Sequence, residues 1–245
     1  MLAEFISLPD FLLALAIVMA AGLVRGYSGF GSGLVIAPLV TLLWGPVEAV
    51  AISSTVGAFA FMQLVPANAR IAHWREIGVI VTAALIVTPV GTYFLVSLDP
   101  SLVKRLIGMA VLVATLITMG GWTYKGPRGF LPSTIAGVLG GLINGVASVG
   151  GPPVVLYLMS LPETARIHRA NIAMAIGLMG FFVMIFIWLS GAPGIGTAVR
   201  IGLLVLPFAF GVWAGTRLFH RLPGDTFRRI VLWMLVVISI SIIIY

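Results

Sequence analysis

The sequence predicts an all-α integral membrane protein made of two inverted repeats, each a broken or re-entrant helix pair followed by three transmembrane helices. Three observations carry that prediction. Of 245 residues, 60% are hydrophobic and 9% charged, against roughly a quarter charged in an ordinary soluble domain, so a water-soluble fold would have little to cover its surface. The apolar residues gather into stretches close to the roughly 20 residues a bilayer requires. A glycine-rich pattern in the first half returns in the second.

The stretches run over 8–24, 47–65, 77–98, 103–121, 167–190, 197–219 and 230–245. The first should be retained, because the N-terminus carries Glu4 and Asp10 and has no Lys or Arg before Arg25, unlike the basic start of a cleaved signal peptide. With no cysteine, disulfides, thiol catalysis and thiolate metal sites are excluded. A net charge of +7 would suggest nucleic acid in a soluble protein. Here the basic residues fall mostly in short connections between apolar stretches, where the positive-inside rule places them.

A shift of 119 residues lays Gly22, Leu23, Gly26, Gly31, Val35 and Leu39 over Gly141, Leu142, Gly145, Gly150, Val154 and Leu158. A shift of 124 lays Gly91, Thr92, Leu98, Lys104 and Arg105 over Gly215, Thr216, Leu222, Arg228 and Arg229. Two matches in the same order imply duplication, with a first repeat over 1–124 and a second over 125–245 inside one integrated membrane domain. Each repeat opens with two shorter pieces, 8–25 and 33–44 in the first and 131–145 and 152–161 in the second. The later piece of each, rising about 15–18 Å, falls short of the roughly 30 Å hydrocarbon core. A broken, re-entrant element is therefore expected in each repeat, although 8–25 is long enough to cross unaided.

A re-entrant element plus three spans is an odd number of crossings, so the second repeat should lie upside down. Placing Arg70, Arg75, Lys125, Arg128, Arg166, Arg169, Arg217, Arg221, Arg228 and Arg229 inside collects ten of the fourteen basic residues there and leaves both termini outside. Lys104, Arg105 and Arg200 fall on the other side, and Arg25 lies within the glycine-rich element.

The first glycine-rich run is Arg25-Gly26-Tyr27-Ser28-Gly29-Phe30-Gly31-Ser32-Gly33, and its counterpart runs from Asn144-Gly145 through Ser148 to Gly150-Gly151-Pro152-Pro153. Neither suits a regular helix, and irregular backbone survives at membrane depth only where protein buries it or it lines a wet cavity. Two such breaks at equivalent positions point to a binding site near the midplane. Half-helices starting near Leu34 and Pro153 would aim free N–H groups and positive dipole ends at that cavity, which suits an anion. Ser28, Ser32, Ser148 and Asn144 add donors without charge.

Arg25 is costly inside a membrane. It either pairs with an anionic substrate or snorkels or ties down a carbonyl. Gly22, Gly141 and Gly211 are expected in close helix packing, whereas Gly29, Gly31, Gly33, Gly150 and Gly151 lie in the breaks, where backbone approach to a ligand is the better reading. Ser53, Ser54, Thr55 and Asn171 follow the broken elements and either face the cavity or bond a carbonyl one turn back. His73, His168 and His220 sit among arginines in expected connections and read as solvated side chains.

Together these features resemble the TauE/SafE sulfite-exporter family, also called toluene-sulfonate uptake permeases, over nearly the whole chain. The resemblance rests on the run from Arg25 to Gly31 with Pro38 downstream, and on Asn144-Gly145 followed by Gly150 to Pro153. It implies transport of sulfite, sulfoacetate, another organosulfonate or a related small anion. The expected substrate-binding residues are Arg25, Gly26, Ser28, Gly29, Gly31, Ser32, Gly33 and Ser53 from the first repeat, and Asn144, Gly145, Ser148, Gly150, Gly151, Pro152 and Asn171 from the second. No cofactor, metal ligand or catalytic residue is expected. The partners are a small anionic substrate and membrane lipid, with no nucleic acid, and a homodimer is allowed. The setting is a cell membrane of the bacterial inner-membrane kind.

No GxxxxGK[ST] run is present, which argues against direct use of ATP. An interior-negative potential drives an anion outward at about 2.3 kcal/mol per charge per 100 mV. Glu48, Glu76, Asp99, Glu163 and Asp225 all fall at span ends, leaving no evident buried proton carrier, so export by alternating access is favoured. An anion channel is the alternative. A remoter one is an intramembrane serine protease, since Gly26-Tyr27-Ser28-Gly29 fits a GxSG pattern, but a serine nucleophile needs a base in reach.

Overall fold

The structure, a computed structural model, describes residues 7–122, 124–219 and 225–244. His220, Arg221, Leu222 and the side chains of Arg228 and Arg229 lie outside the described residues. The described chain forms α1 (Leu8–Ser28), α2 (Ser32–Trp44), α3 (Pro46–Asn68), α4 (Trp74–Ser97), α5 (Pro100–Met119), α6 (Phe130–Ala147), α7 (Gly151–Leu158), α8 (Ala165–Leu189), α9 (Ile195–Phe219) and α10 (Asp225–Ile244). Seven of them, α1, α3, α4, α5, α6, α8 and α9, are long and apolar enough to cross a membrane. The chain is an integral membrane protein.

Punctuation in the sequence sets the helix ends. Prolines occupy the first turns of α1, α3, α5 and α7, where a missing N–H costs nothing. Asp99 caps α5, accepting from the N–H groups of Ser101 and Leu102. The Ser101 hydroxyl, then these two amides, hold the Asp99 carboxyl below its ordinary range, because each bond favours the charged form.

Both glycine-rich runs break the helix. α1 ends where Gly29 turns left-handed at φ 85°, its N–H bonded to Arg25 O, and α2 restarts after Gly31 at φ 92°. α6 ends at Ser148, also left-handed at φ 55°, and α7 restarts after Gly150. The first member of each pair is longer than its glycines suggest, 21 residues in α1 and 18 in α6. Gly26 and Gly145 are helical because each meets a neighbouring helix backbone.

α1 packs most extensively on α9, and α6 on α4. A Cβ on Gly22 would lie 2.5 Å from Phe208 O, and one on Gly211 2.5 Å from Met19 O. A Cβ on Gly145 would lie 2.6 Å from Thr88 O and 2.9 Å from Thr92 N. One on Gly26 would strike Val212 O and lie 2.8 Å from Thr216 N. Glycine thus permits the backbone approach on which membrane helices rely in place of a hydrophobic drive. α3 and α8 pack on each other in the middle, α3 being the most buried span, and α5 pairs with α10.

The α6–α7 hairpin begins and ends at one end of the bundle. Tyr157 Oη is 3.3 Å from both Gly129 N and Gly129 O, and donates to Glu76 at 3.2 Å. At the same end His73 pairs with Glu163 at 2.8 Å, and its N–H donates to Asn171 Oδ1 at 2.8 Å. Arg70, Arg75, Lys125, Arg128 and Arg166 lie in or beside these connections. At the opposite end Glu48 pairs with Arg200 and accepts from Thr197 at 3.1 Å, while the Arg200 guanidinium lies 4.5 Å from the centre of the Trp44 ring.

Candidate functional site

The two breaks meet in the middle of the bundle. A Cβ on Gly33 would strike Ser148 O, and one on Gly151 would lie 3.5 Å from the Phe30 ring. Ser148 Oγ donates to Ser53 Oγ at 3.1 Å. Around this junction lies a cavity with an empty volume of about 420 Å³, its open mouth included. Its walls are Arg25, Phe30, Gly31, Ser32, Gly33 and Leu34 from the first break, Asn144, Ser148, Val149, Gly151 and Pro152 from the second, Ser53, Ser54 and Gly57 from α3, and Ile176 and Gly180 from α8.

Arg25 is 5% exposed and Asn144 4%. The Arg25 Nη1 donates to Ser32 Oγ at 3.2 Å, while Nε and Nη2 are buried with no hydrogen-bond partner among the described residues. The guanidinium rests against α3 at Gly57, where a Cβ would meet Nη1 at 3.6 Å, an ordinary contact. Asn144 Oδ1 accepts from Gly150 N at 3.1 Å and pins the second break, leaving Nδ2 buried and unpartnered. Every lining side chain other than Arg25 is neutral, so the cavity carries one fixed positive charge and no carboxylate.

A family model described as sulfite exporter TauE/SafE matches residues 14–242. The chain belongs to the TauE/SafE family. Comparison with curated proteins and with solved structures returns no match. The match to this transporter family spans both glycine-rich runs and every helix that builds the cavity.

Of the TauE/SafE site residues expected from sequence, Arg25, Gly31, Ser32, Gly33, Ser53, Asn144, Ser148, Gly151 and Pro152 line the cavity. The other six stand behind it. Gly26 and Gly145 lie in helix contacts, and Gly26 O accepts from Arg169 Nη2 at 2.7 Å. Ser28 Oγ lies 2.7 Å from Val24 O and 2.6 Å from Phe30 O, so its hydroxyl meets carbonyls rather than a histidine. Gly29 and Gly150 shape the turns, and Asn171 holds the connection before α4. His73 contacts Glu163 at the end of the bundle.

Sequence reasoning missed Phe30, Leu34, Gly57, Val149, Ile176 and Gly180 as wall residues. Apolar side chains in an apolar protein carry no mark of their position. Gly57 and Gly180 had a weak one, being glycines about one turn beyond Ser53 and about two and a half turns beyond Asn171 on the spans that follow each break.

Proposed function

We propose that the chain exports a small sulfur-containing anion, sulfite, sulfoacetate or another organosulfonate, by alternating access around the cavity between the two breaks. The observation that carries this reading is Arg25: a guanidinium buried at membrane depth with two donor nitrogens unsatisfied by protein. An unmet buried donor costs about 1–3 kcal/mol, and more when charged, so an oxyanion that accepts from Nε and Nη2 relieves a standing penalty. Ser32, Ser53 and the unpartnered Asn144 Nδ2 supply further donors around the same space.

With Arg25 as the one charged residue among the described cavity walls, the site neutralises a monoanion. Hydrogen sulfite or a sulfonate head would be bound in preference to sulfate, whose second charge would remain uncompensated in a low-dielectric setting. An interior-negative potential drives such a monoanion outward without a coupled ion, and no carboxylate lines the cavity to carry a proton.

Alternating access follows from treating the two halves as inverted repeats, 1–124 and 125–245. The contacts support this. The 119 and 124 shifts that relate the two halves carry the Gly26 contacts with Val212 and Thr216 onto the Gly145 contacts with Thr88 and Thr92. The packing of α1 on α9 likewise matches that of α6 on α4. The basic connections around Arg70, Lys125 and Arg166 then face the cytoplasm, and the Glu48–Arg200 end faces outward, as both termini would.

The test is Arg25→Gln in proteoliposomes loaded with sulfite or sulfoacetate. A hydrogen bond to a charged group contributes about 1.5–3 kcal/mol, so apparent affinity should fall roughly 10- to 150-fold while the purified protein remains folded in detergent. Unchanged flux removes Arg25 from the transport path. Non-saturating flux with single-channel currents would replace the carrier with a channel.

A further inference from the structure

A second cavity lies outside the site, on the flank of the second hairpin. It is a groove between α5 and the α6–α7 pair with an empty volume of about 1850 Å³, counting space open to the surroundings. Its walls are Met109 and Val113 of α5, Leu139 and Val146 of α6, and Pro153 and Leu156 of α7. Several are well exposed, Val113 at 55% and Leu139 at 48%.

The groove exists because the two half-helices are covered differently. α2 packs on both α5 and α10 as well as on α1 and α3, whereas the main packing of the eight-residue α7 is with α6 and α8. The outer side of α7 therefore faces the groove. In a membrane an apolar groove along a span fills with hydrocarbon, and its almost wholly apolar walls suit an acyl chain.

The end of the groove identifies the headgroup. Trp122, Tyr124 and Tyr157 line it there, and such rings settle at the headgroup level of a bilayer. Lys125 and Arg128, both exposed, flank the lining residue Pro127. This is also the end that carries Arg70, Arg75 and Arg166.

We propose that this groove binds one anionic phospholipid from the surrounding bilayer, its headgroup at Lys125 and Arg128 and an acyl chain along α6 and α7. Val149 and Pro152 line both the groove and the central cavity. The lipid thus backs the wall that the second break contributes to the site, and its presence steadies α7.

The experiment is native mass spectrometry of the detergent-purified full chain offered phosphatidylglycerol and phosphatidylcholine in equal amounts. Basic residues near a membrane surface favour anionic lipid by about fivefold each, so one phosphatidylglycerol per chain should be retained roughly thirtyfold more often. Lys125→Gln with Arg128→Gln should abolish the headgroup preference while leaving apolar retention, and Leu139→Trp, which fills the groove, should lower retention of both lipids. Equal retention of the two lipids, a preference that survives the double substitution, or a chain dimer that carries no lipid would each overturn the assignment.

Discussion

The two breaks perform the same backbone task with different chemistry. Aligned by the 119 shift, Arg25 stands opposite Asn144, Gly29 opposite Ser148 and Gly33 opposite Pro152. Gly29 and Ser148 both turn left-handed, and only the glycine does so without steric cost. The first break then presents the N–H groups of Ser32, Gly33 and Leu34 beside a guanidinium. The second has lost two of its first-turn N–H groups to Pro152 and Pro153, and offers an amide where the first offers a cation. On the proposed reading, the first hairpin is the anion-binding half. The second is built to hold its shape, with Asn144 Oδ1 bonded across its own turn and two prolines fixing the restart of the helix.

The sharpest way to break this comparison is at the point where the halves touch. Gly33→Ala puts a methyl group into the Ser148 carbonyl, a backbone atom that cannot rotate away. The junction must open and both wall sets must separate, so transport should fall by more than about 100-fold, the effect that roughly 1 Å of misplacement can produce at a binding site. The check pairs proteoliposome flux with circular dichroism in detergent. Preserved helix content with lost flux locates the damage at the junction, whereas normal flux would mean that the breaks do not need to meet.

A smaller effect is expected from the donor-poor side. Asn144→Ala removes one amide donor facing the cavity and the acceptor that pins Gly150. A neutral hydrogen bond contributes about 0.5–1.5 kcal/mol, so apparent substrate affinity should weaken roughly 2- to 12-fold, well short of the Arg25→Gln effect. Saturation of the initial export rate measures it. An effect equal to that of Arg25→Gln would mean that both halves carry the anion equally.

The sequence made the architecture legible where one residue type had one physical reason to be there. Near-continuous apolar stretches gave the spans, and glycine clustering at membrane depth, joined by Pro152 and Pro153 in the second run, gave both breaks. Arg25 was visible because a charge at that depth needs an explanation. What stayed hidden depended on which face of a helix a residue occupies. Gly26 and Gly145 sit beside Arg25 and Asn144 in sequence yet point toward α9 and α4, because adjacent helical residues diverge by about 100°. Ile176 and Phe30 face the cavity only because the folded chain brings α8 and the first break together. The partnership of Glu48 with Arg200, far apart in sequence, was equally out of reach.

That partnership leads to the smallest effect, which concerns the two ends of the bundle. Each end carries an acidic residue shortly after a hairpin, Glu48 or Glu163, clasped to the start of the fourth helix of the other half through Arg200 and Thr197 or through His73. On the proposed alternating access, the two clasps would open in turn. The Glu48 clasp is the firmer: its Arg200 side chain is 16% exposed against 47% for His73, and exposed pairs contribute little. Glu48→Gln should shift the population toward the outward-open form by a fewfold, matching a loss of about 1 kcal/mol. Because the chain has no cysteine, a Ser53→Cys reporter in the cavity can be labelled from outside with a membrane-impermeant maleimide. Labelling should quicken by that factor with Glu48→Gln and slow or stay level with His73→Gln. Equal acceleration by both would make the clasps ordinary surface pairs and leave the two ends without distinct roles.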